Sequence, residues 1–187
     1  PKTEFVAAAR YVEREKGIIY QSFADRIEES KFSRTIIPKV YDAYFGNKGE
    51  RVVMRYLKED DRTIETFLGI LPKERLGDTF RDNEIKGSFL PDNIKDISVS
   101  PDRTKIFYLF LASDNIIGTI LNLSNNAKTQ VFDSPFTEWN SEWGSTNTIT
   151  LNTKPSSLVP GFAYSLGTAT KSLNKTLGGI NGLSTLP

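Results

Sequence analysis

An all-β chain of short antiparallel strands is the fold class this sequence predicts, and three observations predict it. Runs of β-branched, aromatic and long apolar residues are six or so residues long, as in "VVMRYL" from Val52 and "IFYLFL" from Ile106, which is strand length rather than helix length. Each run follows a tight turn rich in Gly, Asn, Pro, Asp or Ser, and a second extended segment precedes that turn. The whole pattern then recurs along the chain.

Three hairpins carry the recurrence: "VYDAYFGNKGERVVMRYL" from Val40, "IKDISVSPDRTKIFYLFL" from Ile94 and "FTEWNSEWGSTNTITLNT" from Phe136. A third strand follows each one, over Arg62–Leu71, Asn115–Leu123 and Gly161–Thr168. A fourth closes each set, from Ile85, Lys128 and Thr170. The second strands begin at Arg51, Lys105 and Thr148, so a four-stranded unit returns at roughly 40 to 50 residues, the period of a β-propeller blade. Blades pack face to face, which buries their middle strands on both sides and explains why those strands read as apolar runs rather than as strict alternation.

Taken in order, the units are expected at about 5–36, 39–91, 94–134 and 136–178, in one propeller domain or partial propeller spanning 1–187. The first holds only three strands, "FVAAARYVER", "GIIYQSF" and "SKFSRTII", corresponding to strands two, three and four of a blade. The second carries an insertion at Pro72–Glu84, "PKERLGDTFRDNE", which mixes charges and lacks strand periodicity. Its position predicts a solvated loop between the third and fourth strands, and loops of this length often meet partners. The last residues, "INGLSTLP" from Ile180, match "IKDISVSP" from Ile94 at the apolar, Ser and Pro positions and read as a further first strand. Two arrangements satisfy this pattern. That strand closes the first blade, leaving no open sheet edge, or the ring is completed by further blades or by a second chain; the expectation is a fragment of a larger propeller.

Composition narrows the chemistry. The 187 residues contain no Cys and no His, which removes thiolate nucleophiles, disulfides, imidazole triads and the usual zinc ligand sets. Lys plus Arg is 24 and Asp plus Glu is 23, a net charge of +1, so no overall field draws the chain to nucleic acid. No apolar stretch approaches the roughly 18 to 20 residues that span a bilayer. No run has the spaced oxygen ligands of a calcium loop, and neither metal nor cofactor is expected. After Ala112 ionisable side chains thin out and Ser, Thr, Asn and Gly replace them, a surface common in exported bacterial β-proteins.

"SPDRTKIFYLF" resembles the blade hairpin of TolB-like and other WD-repeat-like bacterial propellers, where a Ser-Pro-Asp-Gly turn joins the inner strand to an apolar second strand. Ser100, Pro101, Asp102, Lys105, Ile106 and Phe107 carry the match. Arg103 stands where glycine is usual, and the other copies depart further, with Phe45-Gly46-Asn47 and Trp143-Gly144-Ser145 at the turn. Pro101 fixes φ, and Asp102 is expected to accept backbone N–H bonds within the turn. The expected function is a non-catalytic scaffold whose loops bind another protein, and the resemblance implies a bacterial cell envelope, periplasmic or extracellular setting.

Candidate binding residues lie in the loops that join strand two to three, or strand four to the next blade. These loops share one face of a propeller, the face of the channel mouth. They carry Asp60 and Asp61; Asp92 and Asn93; Ser113, Asp114 and Asn115; and Pro155, Ser156 and Ser157. Such a ring suits a cation or a basic patch on another protein, though the same residues are ordinary turn formers. Trp139 and Trp143 fall on one face of an extended strand. They read either as a glycan-stacking platform or, the expected case, as rings filling the wedge between blades.

The alternative function is a carbohydrate-binding or carboxylate-dependent glycan-hydrolysing module. Glu138 and Glu142 are candidates for the second by residue type alone. The acceptor patterns Asn122-Leu-Ser124 and Asn174-Lys-Thr176 are at the frequency chance gives in an Asn- and Thr-rich chain, and no role is assigned to them.

Overall fold

The computed structural model describes residues 6–25, 27–73, 83–156 and 160–180. Among them the regular structure is β throughout, apart from one 3-10 turn at Asn47–Gly49. Two compact units share the chain. The first holds a three-stranded sheet, β1 (Ala8–Val12), β2 (Ile19–Phe23) and β3 (Glu29–Lys31). It also holds a four-stranded sheet of β4 (Val40–Gly46), β5 (Arg51–Leu57), β6 (Ile64–Ile70) and β7 (Lys86–Phe89).

The second unit holds β8 (Ile94–Val99), β9 (Lys105–Ala112), β10 (Asn115–Asn122) and β11 (Lys128–Ser134) in one sheet. Its other sheet is β12 (Trp139–Ser145), β13 (Thr148–Thr153), β14 (Gly161–Gly167) and β15 (Leu173–Ile180). Strands neighbour one another in chain order and pair antiparallel, with one isolated parallel bridge between Ser33 and Asn83. This is the meander of a propeller blade.

The second strands start where the repeat places them, at Arg51, Lys105 and Thr148. Burial follows from their position between two faces. Val52, Val53 and Met54 are buried in β5, and Ile106, Phe107, Tyr108 and Leu109 in β9, with no alternation, because both sides of a middle strand meet apolar neighbours.

The first unit packs Ile19 and Phe32 against Val52, Met54 and Phe67. Each such side chain taken from water contributes about 1.5–3 kcal/mol. Arg10 of β1 ties the two sheets together: its Nη1 donates to the Gly49 carbonyl at 2.9 Å, and its guanidinium lies 4.0 Å from the centre of the Phe32 ring. The second unit packs Phe107, Leu109, Ile116 and Phe132 against Trp139, Trp143, Ile149, Leu151 and Leu166. Gly118 permits this closeness. A Cβ there would sit 2.6 Å from the Phe107 ring and 2.7 Å from Phe132 Cβ.

The insertion falls between β6 and β7, but its final residues are docked rather than merely solvated. Asn83 N donates to the Phe32 carbonyl at 3.1 Å, the Asn83 carbonyl accepts from Arg34 N at 2.9 Å, and Glu84 pairs with Arg34 at 3.1 Å. Backbone amides left over by the short strand β3 are satisfied there, which is the reason a charged segment lies down on the sheet. The loop reading of 74–82 and the closing strand read from 181–187 lie outside the described residues.

Candidate functional site

Within each unit the loops are held by a device that repeats. The residue before an inner strand accepts a hydrogen bond from the end of the second strand: Leu57 N to Lys39 O, Leu111 N to Asn93 O, and Lys154 N to Glu138 O. Lys39 and Asn93 do so with left-handed backbones, φ 60° in each. Asn93 is thus first a joint of the framework. Asparagine tolerates that conformation better than most residues, and lysine does not.

In the second unit this joint brings the strand-four-to-one and strand-two-to-three loops onto one edge. Asp92 and Asn93 lie beside the turn of Ser113 and Asp114, and Asn115 Nδ2 donates to Asp133 Oδ1 at 2.7 Å. On the neighbouring sheet Glu138, Lys154 and Ser156 occupy the same edge, with Glu138 and Lys154 3.6 Å apart. The two sheets run the same way because their inner strands are bonded side by side. Asp96 Oδ2 of β8 accepts from both the backbone N and the hydroxyl of Ser141 in β12, and Ser141 Oγ is 3.2 Å from Ser98 Oγ. Asp92, Asp114, Asp133 and Glu138 are all solvent-exposed. Among the described residues Asp92 and Asp114 have no hydrogen-bond or ionic partner. Asp133 and Glu138 were not among the loop residues read from sequence. The signal for them was available, since each ends or precedes a strand at that edge. Ser157 lies outside the described residues.

Asp60 and Asp61, in the first unit, serve their own turn. Asp60 Oδ1 accepts from Arg62 N at 3.0 Å and Thr63 N at 2.8 Å, while Oδ2 takes the Thr63 hydroxyl. Those bonds, the Thr63 hydroxyl foremost, hold the Asp60 carboxyl down to about 2. Asp61 sits at φ 53° and forms an ion pair with Lys39. Both carboxylates of the pair thus have partners within their own unit.

The tryptophans lie in the core of the second unit. Trp139 and Trp143 are 6% and 5% exposed, so neither offers a ring face to a sugar. Trp139 meets Phe132, Phe136 and Tyr164 edge-on at 5.2, 5.7 and 5.5 Å, and its Nε1 donates to the Phe136 carbonyl at 2.8 Å. They fill the space between two sheets, the packing alternative of the sequence reading. An aromatic pair that does reach solvent went unread in the sequence. Tyr11 and Tyr20, directly paired across β1 and β2, stack at 5.7 Å with an interplanar angle of 14°. Tyr11 is 42% exposed, and its hydroxyl is hydrogen-bonded to Glu29, which raises the phenol to about 12.

No protein-family model matches this chain, and no curated protein does. Solved structures do. The β-propeller domain of the Trilobed protease from Pyrococcus furiosus, described as having an open velcro topology, matches with a TM-score of 0.57 and 10% identity, over 91% of this chain and 52% of that one. A eukaryotic initiation factor matches with a TM-score of 0.55 and 12% identity, over 92% and 40%. TolB from Acinetobacter baumannii matches with a TM-score of 0.51 and 8% identity, over 90% and 40%. The chain spans about half or less of the length of these structures. At such identities the likeness shows the fold alone: the chain is built as a β-propeller, of four-stranded antiparallel blades.

Proposed function

We propose that this propeller module is a non-catalytic scaffold that binds another protein, in a bacterial envelope or extracellular setting. The observation that carries the reading is the acidic edge of the second unit. Asp92 and Asp114 are exposed and uncompensated there, with Asp133 and Glu138 beside them. Surface carboxylates of this kind steer a basic partner and set its register more than they add affinity. The structural likeness to TolB supports the envelope setting by analogy of fold.

Charge reversal tests it. The D92K/D114K chain, coupled to beads, should lose a protein that the unaltered chain captures from envelope extract, whereas D60K/D61K should retain it. Equal capture by D92K/D114K would defeat the reading. The carbohydrate reading moves to Tyr11, which is 42% exposed and stacked on the half-buried Tyr20. Oligosaccharide retention lost on Tyr11→Ala, with tryptophan emission unchanged, would support it.

A further inference from the structure

The opposite edge of the second unit carries charge of the other sign. Arg103 lies in the β8–β9 turn, Lys105 opens β9, Lys128 opens β11, and Lys171 lies in the β14–β15 turn. All four are solvent-exposed. On the β8–β11 sheet they are fixed as a group: Leu123 N donates to Thr104 O at 2.9 Å, Lys105 pairs with Asn122, and Lys128 pairs with Leu121. The acid among them is Asp102, and its oxygens are engaged by Ser100 Oγ at 2.7 Å and by Thr104 N and Oγ1 at 3.0 and 2.8 Å.

Arg103 supplies a second, independent observation. Its φ is 56°, a conformation that glycine adopts freely and a side-chain-bearing residue adopts at a cost. The turn closes through the Arg103 backbone N, which donates to Ser100 O at 2.8 Å, so nothing in the fold needs the guanidinium. Among the described residues that guanidinium has no hydrogen-bond or ionic partner. A strained residue whose side chain the fold does not use points to a use outside the fold.

We propose that Arg103, Lys105 and Lys128 form a docking edge for a short acidic segment of a partner protein. β9 is eight residues long, roughly 26 Å of strand, which exceeds the ~8 Å screening length of physiological salt. The two edges therefore act independently, and the acidic one does not cancel this one for a ligand that stays local. A short carboxylate-rich peptide stays local. A nucleic acid does not, because its affinity grows with the number of phosphates neutralised, and the chain carries a net charge of only +1. The exposed cations make a footprint rather than a pocket, which suits a peptide over a single small anion.

The test uses the intact chain and a fluorescent octaglutamate peptide, read by anisotropy. Binding is expected at low salt and should fade at physiological salt. R103E/K128E should weaken it about tenfold, the product of two exposed charge contacts reversed, while D92K/D114K leaves it no weaker. Arg103→Gly guards against misfolding as an explanation, because it should weaken binding while raising the melting temperature. Three results would overturn the proposal: no binding at low salt, equal binding by R103E/K128E, or octathymidylate binding as tightly as the peptide.

Discussion

The turns Lys58–Thr63 and Ser100–Lys105 are one design placed at two different strand junctions. Each is closed by a backbone pair across its ends, Lys58 N to Thr63 O and Ser100 N to Lys105 O. In each the fourth residue is left-handed and donates to the first, Asp61 to Lys58 O and Arg103 to Ser100 O. In each the third residue is an aspartate that accepts the following backbone N–H groups. They differ in what closes them. Ser100, 5% exposed, also donates to Asp102 and to the Lys105 carbonyl, whereas the first turn replaces that hydroxyl with the Lys39–Asp61 ion pair at the surface. In these two turns the aspartate is thus a framework residue, whatever charge it adds to the surface.

The largest expected effect breaks the deeper turn. Asp102→Ala removes bonds to Ser100 and Thr104 and should cost about 1 kcal/mol, read as a lower urea midpoint. Asp60→Ala should shift the midpoint in the same direction by less, since its turn has no buried hydroxyl to strand. A larger loss for Asp60→Ala would refute the ranking.

Acid should erase both differences. The hydrogen bonds hold both carboxyls below their ordinary value of 3.8, Asp60 at about 2. A depressed folded pKa contributes stability that is present above the unfolded value and is lost as pH falls through the folded one. The gap between Asp60→Asn and the parent chain should therefore shrink from about pH 4 to about pH 2 in urea titrations, and a gap that persisted below that range would count against the hydrogen-bond account.

The smallest effects sharpen the comparison at the left-handed residue. Arg103→Gly should raise stability by about 0.5–1 kcal/mol, because glycine relieves the positive φ at some cost in unfolded-chain entropy. Asp61→Gly should gain less, since aspartate tolerates that conformation better and the substitution also removes an exposed ion pair with Lys39, worth little by itself. Thermal melts of the two variants side by side decide the order.

The framework was legible because its signals are redundant. Apolar run, turn and period all place the second strands, so Arg51, Lys105 and Thr148 emerge without a structure. The Asp102 turn was legible too, down to the backbone N–H that its carboxylate accepts. What escaped was conformation that residue type does not announce: nothing about Lys39 signals a positive φ, and the likeness of "KEDDRT" to "SPDRTK" is carried by a single residue in register, the aspartate at the third position. The acidic edge was legible only in part. Asp92 and Asp114 lie in loops that topology assigns to one face, whereas Asp133 joins them through its bond with Asn115, a contact between strand ends. Burial of Trp139 and Trp143 follows from which side of β12 meets the neighbouring sheet, and alternation alone leaves both sides open.

The bond from the Ser141 amide to Asp96 has a consequence in time. Its acceptor lies 45 residues upstream, in a different sheet. As the chain leaves the ribosome, β12 can hide that amide only if β8 already stands in place, so the order of synthesis is also the order in which each new sheet finds a surface ready to receive it.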